Sequence, residues 1–275
     1  MRIVACVKHV LRYMSYDSSG RRADRASVPG TINPNDRVAI SRALALKSPG
    51  GELVCLSMGP PAAEESLLET LAMGANRAVL LCDRALAEAD TLATAYPLSL
   101  AVKKIGGADL VICGSRSSDS DTGHVAPQLA EMLDLPYLSY VTSFSVEGRV
   151  VRAERTVDGF IEEIEADLPA VLSVSHHISE RDYPSLAGLN RAFSSGEVEK
   201  WSAADIGAEP ERVGRKGSPT WVNRIITPEK QRVATIIEDD RTQETARRVL
   251  EFLKSRNIMI RDKVRARRDV EKFEL

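Results

Sequence analysis

The chain has 275 residues, 43% hydrophobic and 28% charged, and its 37 lysines and arginines nearly balance its 39 aspartates and glutamates. A formal net charge of −2 gives no overall field that would draw nucleic acid or an anionic membrane surface. No apolar run approaches the ~20 residues that cross a bilayer, and the first ten residues lack the three-part form of a secretory signal, so a cytoplasmic protein is expected.

Residues 2–10 alternate weakly and are rich in β-branched side chains, which predicts a first strand. Residues 14–29 form a polar loop with room for a short hairpin. The stretch 31–36, TINPND, starts a helix: Pro34 breaks the extended segment, and Asn35 or Asp36 can cap the helical run. Val38, Ile40, Ala43, Leu44 and Leu46 give that helix its face, and Pro49-Gly50-Gly51 ends it. Residues 52–58 read as a second strand. Gly59-Pro60-Pro61 then turns the chain into a helix that carries Leu67, Leu68, Leu71 and Met73 and closes at Gly74. Residues 78–82 read as a third strand, 90–105 as a helix opened by Asp90, and 110–113 as a fourth strand.

This alternation over residues 2–135 demands a parallel sheet with right-handed crossovers and helices on both faces. The expected fold is α/β: a doubly wound, mostly parallel, Rossmann-like sheet of the adenine-nucleotide-binding type. From Tyr137 the rhythm changes. Residues 137–146, 149–156 and 159–165 read as strands joined by turns at Glu147-Gly148 and Asp158-Gly159, an antiparallel extension. Residues 170–175 read as a buried strand, 183–188 as a short helix or an exposed loop, 201–221 as loop, and 242–255 as an amphipathic helix. The basic end, 260–275, reads as a solvated tail. The division expected is an α/β domain over 1–200 and a C-terminal arm over 201–275.

The stretch 110–128, LVICGSRSSDSDTGHVAPQ, passes from strand through polar loop to helix. Seven of the eight positions 115–122 carry a hydroxyl or a carboxylate. One helix cap needs one such residue. The excess predicts a ligand site at the carboxyl end of a strand, where backbone N–H groups at a helix start face outward. Two aspartates would repel a phosphate, so they read as partners of ribose hydroxyls or as caps. His124 reads as a loop or helix-face residue. Several chemistries are missing: there is no GxGxxG after the first strand, no Walker lysine and no GxSxG elbow. Cys6, Cys55, Cys82 and Cys113 lie in strand-like runs without a CxxC pair and read as reduced core thiols. The four histidines have no metal spacing. A nucleotide site without hydrolytic or transfer apparatus points to binding, or to chemistry that a cofactor carries; no catalytic side chain is assigned.

Seven short motifs then stand out in order: Ala5-Cys6-Val7-Lys8, Asn33-Pro34-Asn35-Asp36, Ser57-Met58-Gly59-Pro60, Leu71-Ala72-Met73-Gly74-Ala75, Ala89-Asp90-Thr91-Leu92-Ala93-Thr94, residues 119–128, and Gly217-Ser218-Pro219-Thr220. Over residues 1 to about 258 their order and spacing resemble the beta, or small, subunit of electron-transfer flavoproteins, closest to the electron-bifurcating type. The resemblance implies a heterodimer with a larger alpha subunit that holds an FAD. It also implies that the beta subunit binds either a structural AMP or, in bifurcating members, a second FAD. The nucleotide positions it implies are Cys6, Val7, Lys8, Asn33, Asp36, Ser57, Met58, Gly59, Gly114, Arg116, Asp119, Ser120, Asp121, Thr122, Gly123, His124 and Val125.

FAD is favoured over AMP, because ADTLATA at 89–95 and DSDTGHVAPQ at 119–128 are similar to the bifurcating pattern. Thr91 and Thr94, beside Asp90, could then donate to a pyrophosphate at a helix start; otherwise Thr94 packs the helix and Asp90 only caps it. The chain departs from the pattern at Ala95, Ser120 and Arg116, where serine, glycine and glutamine are usual; Ala95 removes a hydroxyl that could meet a flavin. Lys8 and Arg116 are candidates for tuning flavin potentials. Residues 183–193 are similar to the family's recognition loop, with Leu186 as the apolar anchor for an acyl-CoA-type or related dehydrogenase. Arg191 to Ser195 replace the usual lysine cluster. The resemblance further implies NADH as electron donor and an arm, 201–275, that wraps the alpha subunit. Two other readings are a stress-protein-like nucleotide-binding module and a nucleotidyl-transfer enzyme of related fold. The long segment after residue 200, the lack of a glycine-rich phosphate loop and the missing phosphate-binding histidine motif count against them.

Overall fold

The computed structural model describes residues 1–13, 28–175, 182–223, 235–237 and 242–256. Two units separate, Met1–Ile225 and Ile226–Leu275. In the first, β1 (Arg2–Cys6) is an interior strand of a nine-stranded sheet. The chain next makes a two-stranded antiparallel ribbon from β2 (His9–Leu11) and β3 (Gly30–Ile32), then α1 (Pro34–Leu46), β4 (Glu52–Met58), α2 (Ala63–Met73), β5 (Arg77–Leu81), α3 (Thr91–Ile105), β6 (Leu110–Gly114) and α4 (Val125–Leu133). β4 and β5 are laid to one side of β1, and β6 returns to its other side, so the order runs β5-β4-β1-β6 with all four parallel. That reversal is a topological switch point. Such a sheet opens a crevice there, outside the carboxyl ends of the strands.

β7 (Tyr137–Glu147), β8 (Val150–Val157), β9 (Phe160–Asp167) and β10 (Ala170–Val174) come next. β10 inserts in parallel between β6 and β7, and β8 and β9 add antiparallel strands beyond β7. The parallel sheet with its antiparallel extension is therefore as the sequence predicts. Alternation explains the layers. Ile3, Ala5, Leu53 and Cys55 point to the side of α1 and α2, whereas Val4, Cys6, Val54 and Val111 point to that of α3 and α4. Ile3, Leu53 and Leu110 are fully buried; each such side chain contributes about 1.5–3 kcal/mol by leaving water. All four cysteines are free thiols.

The structure departs from the sequence reading in three places. The strand expected over 2–10 is two strands, because the chain leaves the sheet at Val7 and Lys8. Val7 N still donates to Leu56 O (2.8 Å), but Lys8 N donates to the Asp36 carboxylate (2.7 Å). The segment after residue 198 is not all loop: β11 (Glu199–Trp201) adds a parallel edge to β5, held by a bidentate Arg77–Glu199 pair at 2.8 and 3.2 Å. The helix start of α1 is Asn33, with Pro34 at the first position, rather than Asn35 or Asp36. The open choice at 183–188 resolves as α5 (Leu186–Ser195), where Ser185 Oγ accepts from Gly188 N at 3.0 Å.

In the second unit, α6 (Thr242–Ser255) is amphipathic, and Arg247 on it pairs with Glu244 (2.7 Å) and Glu251 (2.9 Å). The loop read over 14–29 falls mostly outside the described residues, and the basic tail 260–275 wholly so. Among the described residues no helix is long and apolar enough to cross a membrane.

Candidate functional site at the strand tips

At the switch point, the tips of β1 and β6 are tied together through the first turn of α1. Asp36 is the knot. Its Oδ2 accepts from Lys8 N (2.7 Å), and its Oδ1 accepts from Gly114 N (3.1 Å) and Asn33 Nδ2 (2.9 Å). The helix comes so close to β6 that any side chain at 114 would strike the Asp36 carboxylate and the Asn35 backbone, which is why glycine stands there. Burial pushes the Asp36 carboxyl up to about 6, against the opposing pull of its bonds to Asn33, Lys8 and Gly114.

Asn33 does not cap α1 with its side chain. It reaches instead into the loop after β6, donating Nδ2 to Arg116 O (2.8 Å) and accepting Ser118 N at Oδ1 (3.1 Å). Asn35 Nδ2 donates to the same Arg116 carbonyl at 2.8 Å. Lys8 Nζ crosses to Asp119 (2.7 Å), Ser117 (3.2 Å) and Ser120 (3.5 Å). Burial would raise the Asp119 carboxyl, but the bond and charge of Lys8, with Ser117 and Ser120, overcome it and hold Asp119 below the usual carboxylate range. Arg116 pairs with Asp121 at 3.2 Å, and this pair is largely exposed. Both loop aspartates are thus spent on both nearby cations, leaving the loop close to electrically neutral. A recess of about 210 Å³ lies against Asn33, Pro34, Asn35, Arg116, Ser117, Ser118 and Asp121.

The structure thus brings Lys8, Asn33, Asp36, Gly114, Arg116, Asp119, Ser120 and Asp121 into one bonded web. Cys6 and Val7 lie buried at the tip of β1. Ser57 and Met58 end the neighbouring strand β4, and Gly59 N donates to Leu81 O of β5 (3.1 Å). Thr122 and His124 are exposed and Gly123 and Val125 half-buried at the start of α4, where His124 occupies the cap position without a side-chain bond. The Ser57 hydroxyl and the Gln128 amide oxygen are buried without a partner. An unpaired buried polar atom costs about 1–3 kcal/mol. Neither atom lines the recess against Asn33 and Arg116.

Asp90, Thr91 and Thr94 arrive at the same edge of the sheet on α3 but are bonded elsewhere. Asp90 Oδ1 accepts from Leu92 N (3.1 Å) and Ala93 N (3.0 Å), and its Oδ2 accepts from Thr220 N (3.0 Å) and Oγ1 (2.8 Å). Burial tends to raise this carboxyl, yet those donors hold it below its ordinary range. Asp90 is the helix cap, and the cap also fastens the Gly217–Thr220 motif. Two of the first N–H groups of α3 are used up in the process, which leaves the Thr91 and Thr94 hydroxyls, both half-buried, as the donors a ligand could meet. Leu186 is not part of the web; it stands 86% exposed at the start of α5. The single-residue reading passed over Asn35 and Thr220 as site residues, although the motifs at 33–36 and 217–220 contained them. Among the described residues, no group of three or more His, Cys, Asp or Glu converges as a metal site.

The electron transfer flavoprotein domain matches residues 22–206 of the chain. A protein of Thermoanaerobacterium thermosaccharolyticum named electron transfer flavoprotein subunit beta is 37% identical over 262 residues, covering 94% of this chain and all of the relative. The caffeyl-CoA reductase-Etf complex subunit CarD of Acetobacterium woodii is 35% identical over 263 residues, again covering 94% of this chain and all of the relative. Protein FixA of Azorhizobium caulinodans is 38% identical over 271 residues, covering 92% of this chain and 94% of the relative.

Proposed function

Because the chain belongs to the electron transfer flavoprotein family, among its beta subunits, we propose that it carries electrons as one half of a heterodimer and grips the adenosine end of an FAD at the strand tips. The observation that carries this reading is the web at the switch point, where Asp36, Asn33 and Lys8 fasten a hydroxyl-rich loop at the strand tips beside a recess. Cys6 to Lys8, Asn33, Ser57 to Gly59 and the 114–125 loop would hold the nucleotide, with the Thr91 and Thr94 hydroxyls reaching its pyrophosphate. The flavin, when bound, supplies the redox chemistry. The chain's residues supply binding, orientation and charge: Lys8 stays spent on Asp119, whereas Arg116, in its exposed pair with Asp121, is the cation free to exchange partners. The alpha subunit completes the site, since about 210 Å³ falls short of the roughly 300–1,000 Å³ that encloses a whole ligand.

Ala95 bears on FAD against AMP. Its methyl is fully buried in the apolar layer with Val4, Val54 and Tyr96. Position 95 therefore faces the sheet, and alanine there takes no hydroxyl away from the crevice. Ala95 therefore does not count against the reading we carry forward, a second FAD in the beta subunit with bifurcation of electron pairs from NADH; a structural AMP is the second reading. Acid extraction of the co-purified heterodimer decides between them. Two FAD per heterodimer is the expected result, and one FAD with one AMP overturns it in favour of the simpler carrier.

A further inference from the structure

One residue beside the loop sits in a conformation that its own chemistry disfavours. Tyr140, in β7, has φ +52°, a left-handed backbone that a bulky residue rarely adopts. The cause is a bulge: Leu138 pairs with Leu172 and Val141 with Val174, so Ser139 and Tyr140 together face the single residue Ser173. The conformation is held from several sides. Tyr140 N donates to Ser173 Oγ (2.9 Å), and the Tyr137 hydroxyl meets that same oxygen at 2.7 Å. Arg155 ties Ser139 Oγ at 2.8 Å. Strain of this kind persists only where the surroundings over-determine it, and it gathers where a side chain must be aimed.

The ring of Tyr140 is aimed at the loop. The Arg116 guanidinium lies over it at 5.5 Å from the ring centre, inside the ~6 Å reach of a cation–π contact. The Tyr140 hydroxyl closes on Gly123, where φ is +68° and a Cβ would crowd that hydroxyl, the Ser115 carbonyl and Arg116. The loop is thus gripped on one flank by Asn33, Asn35 and Lys8 and on the other by Tyr140.

We propose that Tyr140 is a positioning residue of the crevice: its bulge-held ring fixes Arg116 and Gly123 so that Arg116 trades Asp121 for a phosphate of the bound adenine nucleotide. This rests on the nucleotide reading above. The Arg116–Asp121 pair suits such an exchange, because at 3.2 Å with both partners about half or more exposed it is weakly held. A phosphate offers the guanidinium a bidentate, doubly charged partner in its place.

The test titrates AMP, FAD and adenosine into the heterodimer carrying Tyr140→Ala, Tyr140→Phe, Arg116→Ala or the Tyr140→Ala/Arg116→Ala pair, each with cofactor removed. Tyr140→Ala should weaken AMP and FAD about tenfold, the size of one cation–π contact, and leave adenosine unchanged. Tyr140→Phe, which keeps the ring beside Arg116 but loses the hydroxyl at Gly123, should recover part of the binding lost in Tyr140→Ala, and the double variant should be no weaker than either single one, since the two residues act as a unit. Hydrogen exchange of residues 115–123 should quicken in Tyr140→Ala without ligand. AMP affinity untouched by Tyr140→Ala, or equal losses for AMP and adenosine, overturns the proposal while the nucleotide site stands. A wild-type heterodimer that binds neither AMP nor FAD overturns the site itself and this role with it.

Discussion

At Asp36 the crevice acquires a pH dependence that a surface carboxylate would lack. Its carboxyl moves from 3.8 in the open chain to about 6 in the fold, chiefly through burial. The folded state therefore holds the proton more tightly than the unfolded one. The stability this confers is complete below about pH 4 and is lost as pH rises through 6, by roughly 3 kcal/mol at 1.36 kcal/mol per pH unit. The charged form is nonetheless the one that accepts Lys8 N, Gly114 N and Asn33 Nδ2 together. Asparagine there has one oxygen for three donors. Asp36→Asn should remove the pH-dependent component, so that its unfolding free energy gains on wild type between pH 4 and pH 7 in urea titrations. It should also weaken AMP and FAD at pH 7, because the tips of β1 and β6 lose their common tie. Parallel pH profiles for the two proteins would show that Asp36 titrates in the fold much as it does in water.

Among the elements, α5 separates folding from partner binding most cleanly. Its inner side is fixed by Gly188, whose missing side chain lets the helix lie against the Ala72 carbonyl of α2. Its outer side presents Leu186 at 86% and Phe193 at 50% exposure, with Tyr183 at 71% just ahead of it. Exposed side chains of this kind contribute within about 0.5 kcal/mol to stability. If Leu186 docks a dehydrogenase partner, as the resemblance implies, Leu186→Ala should melt with wild type and yet slow electron exchange with that partner severalfold in stopped-flow mixing; an unchanged rate would detach α5 from that docking role. α5 also marks the limit of what the residues reveal. The strands around β1 were legible because each is a short apolar run buried on both faces, and α3 because Asp90 precedes its periodic face. β11 was not, because Glu199-Lys200-Trp201 has no alternation and is held by Arg77, 122 positions away. The β2–β3 ribbon was missed for a similar reason: the break at Lys8 is made by Asp36 from the next helix, a tertiary contact that local pattern cannot report. In the crevice, residue types and motifs were readable, whereas the pairing of Lys8 with Asp119 and the spending of Asp90 on Thr220 were not. Tyr140 looked like one more strand tyrosine, since only the register of β10 against β7 exposes the bulge.

For the whole molecule, an open crevice beside a neutral loop sets a thermodynamic link between cofactor and assembly. The recess formed by the described residues, about 210 Å³, is smaller than the roughly 300–1,000 Å³ that encloses a whole ligand. The two loop cations are already paired, so little net charge attracts phosphate from a distance. On the reading proposed above, affinity would come from contacts that close when an alpha subunit covers the crevice. By reciprocity, whatever factor the alpha subunit adds to nucleotide affinity, the nucleotide adds to subunit affinity. Coupling of this type is about 1–3 kcal/mol, or 5–150-fold. AMP or FAD at saturation should therefore tighten the heterodimer by at least about fivefold in sedimentation or biolayer titrations of the cofactor-free subunits, and the alpha subunit should tighten nucleotide binding by the same factor. If Arg116 meets the phosphate after surrendering an exposed pair, as proposed above, the factor should change little between low and moderate salt. Equal subunit affinity with and without nucleotide would mean that this chain encloses its ligand unaided, and the web at the strand tips would have to be a complete site rather than half of one.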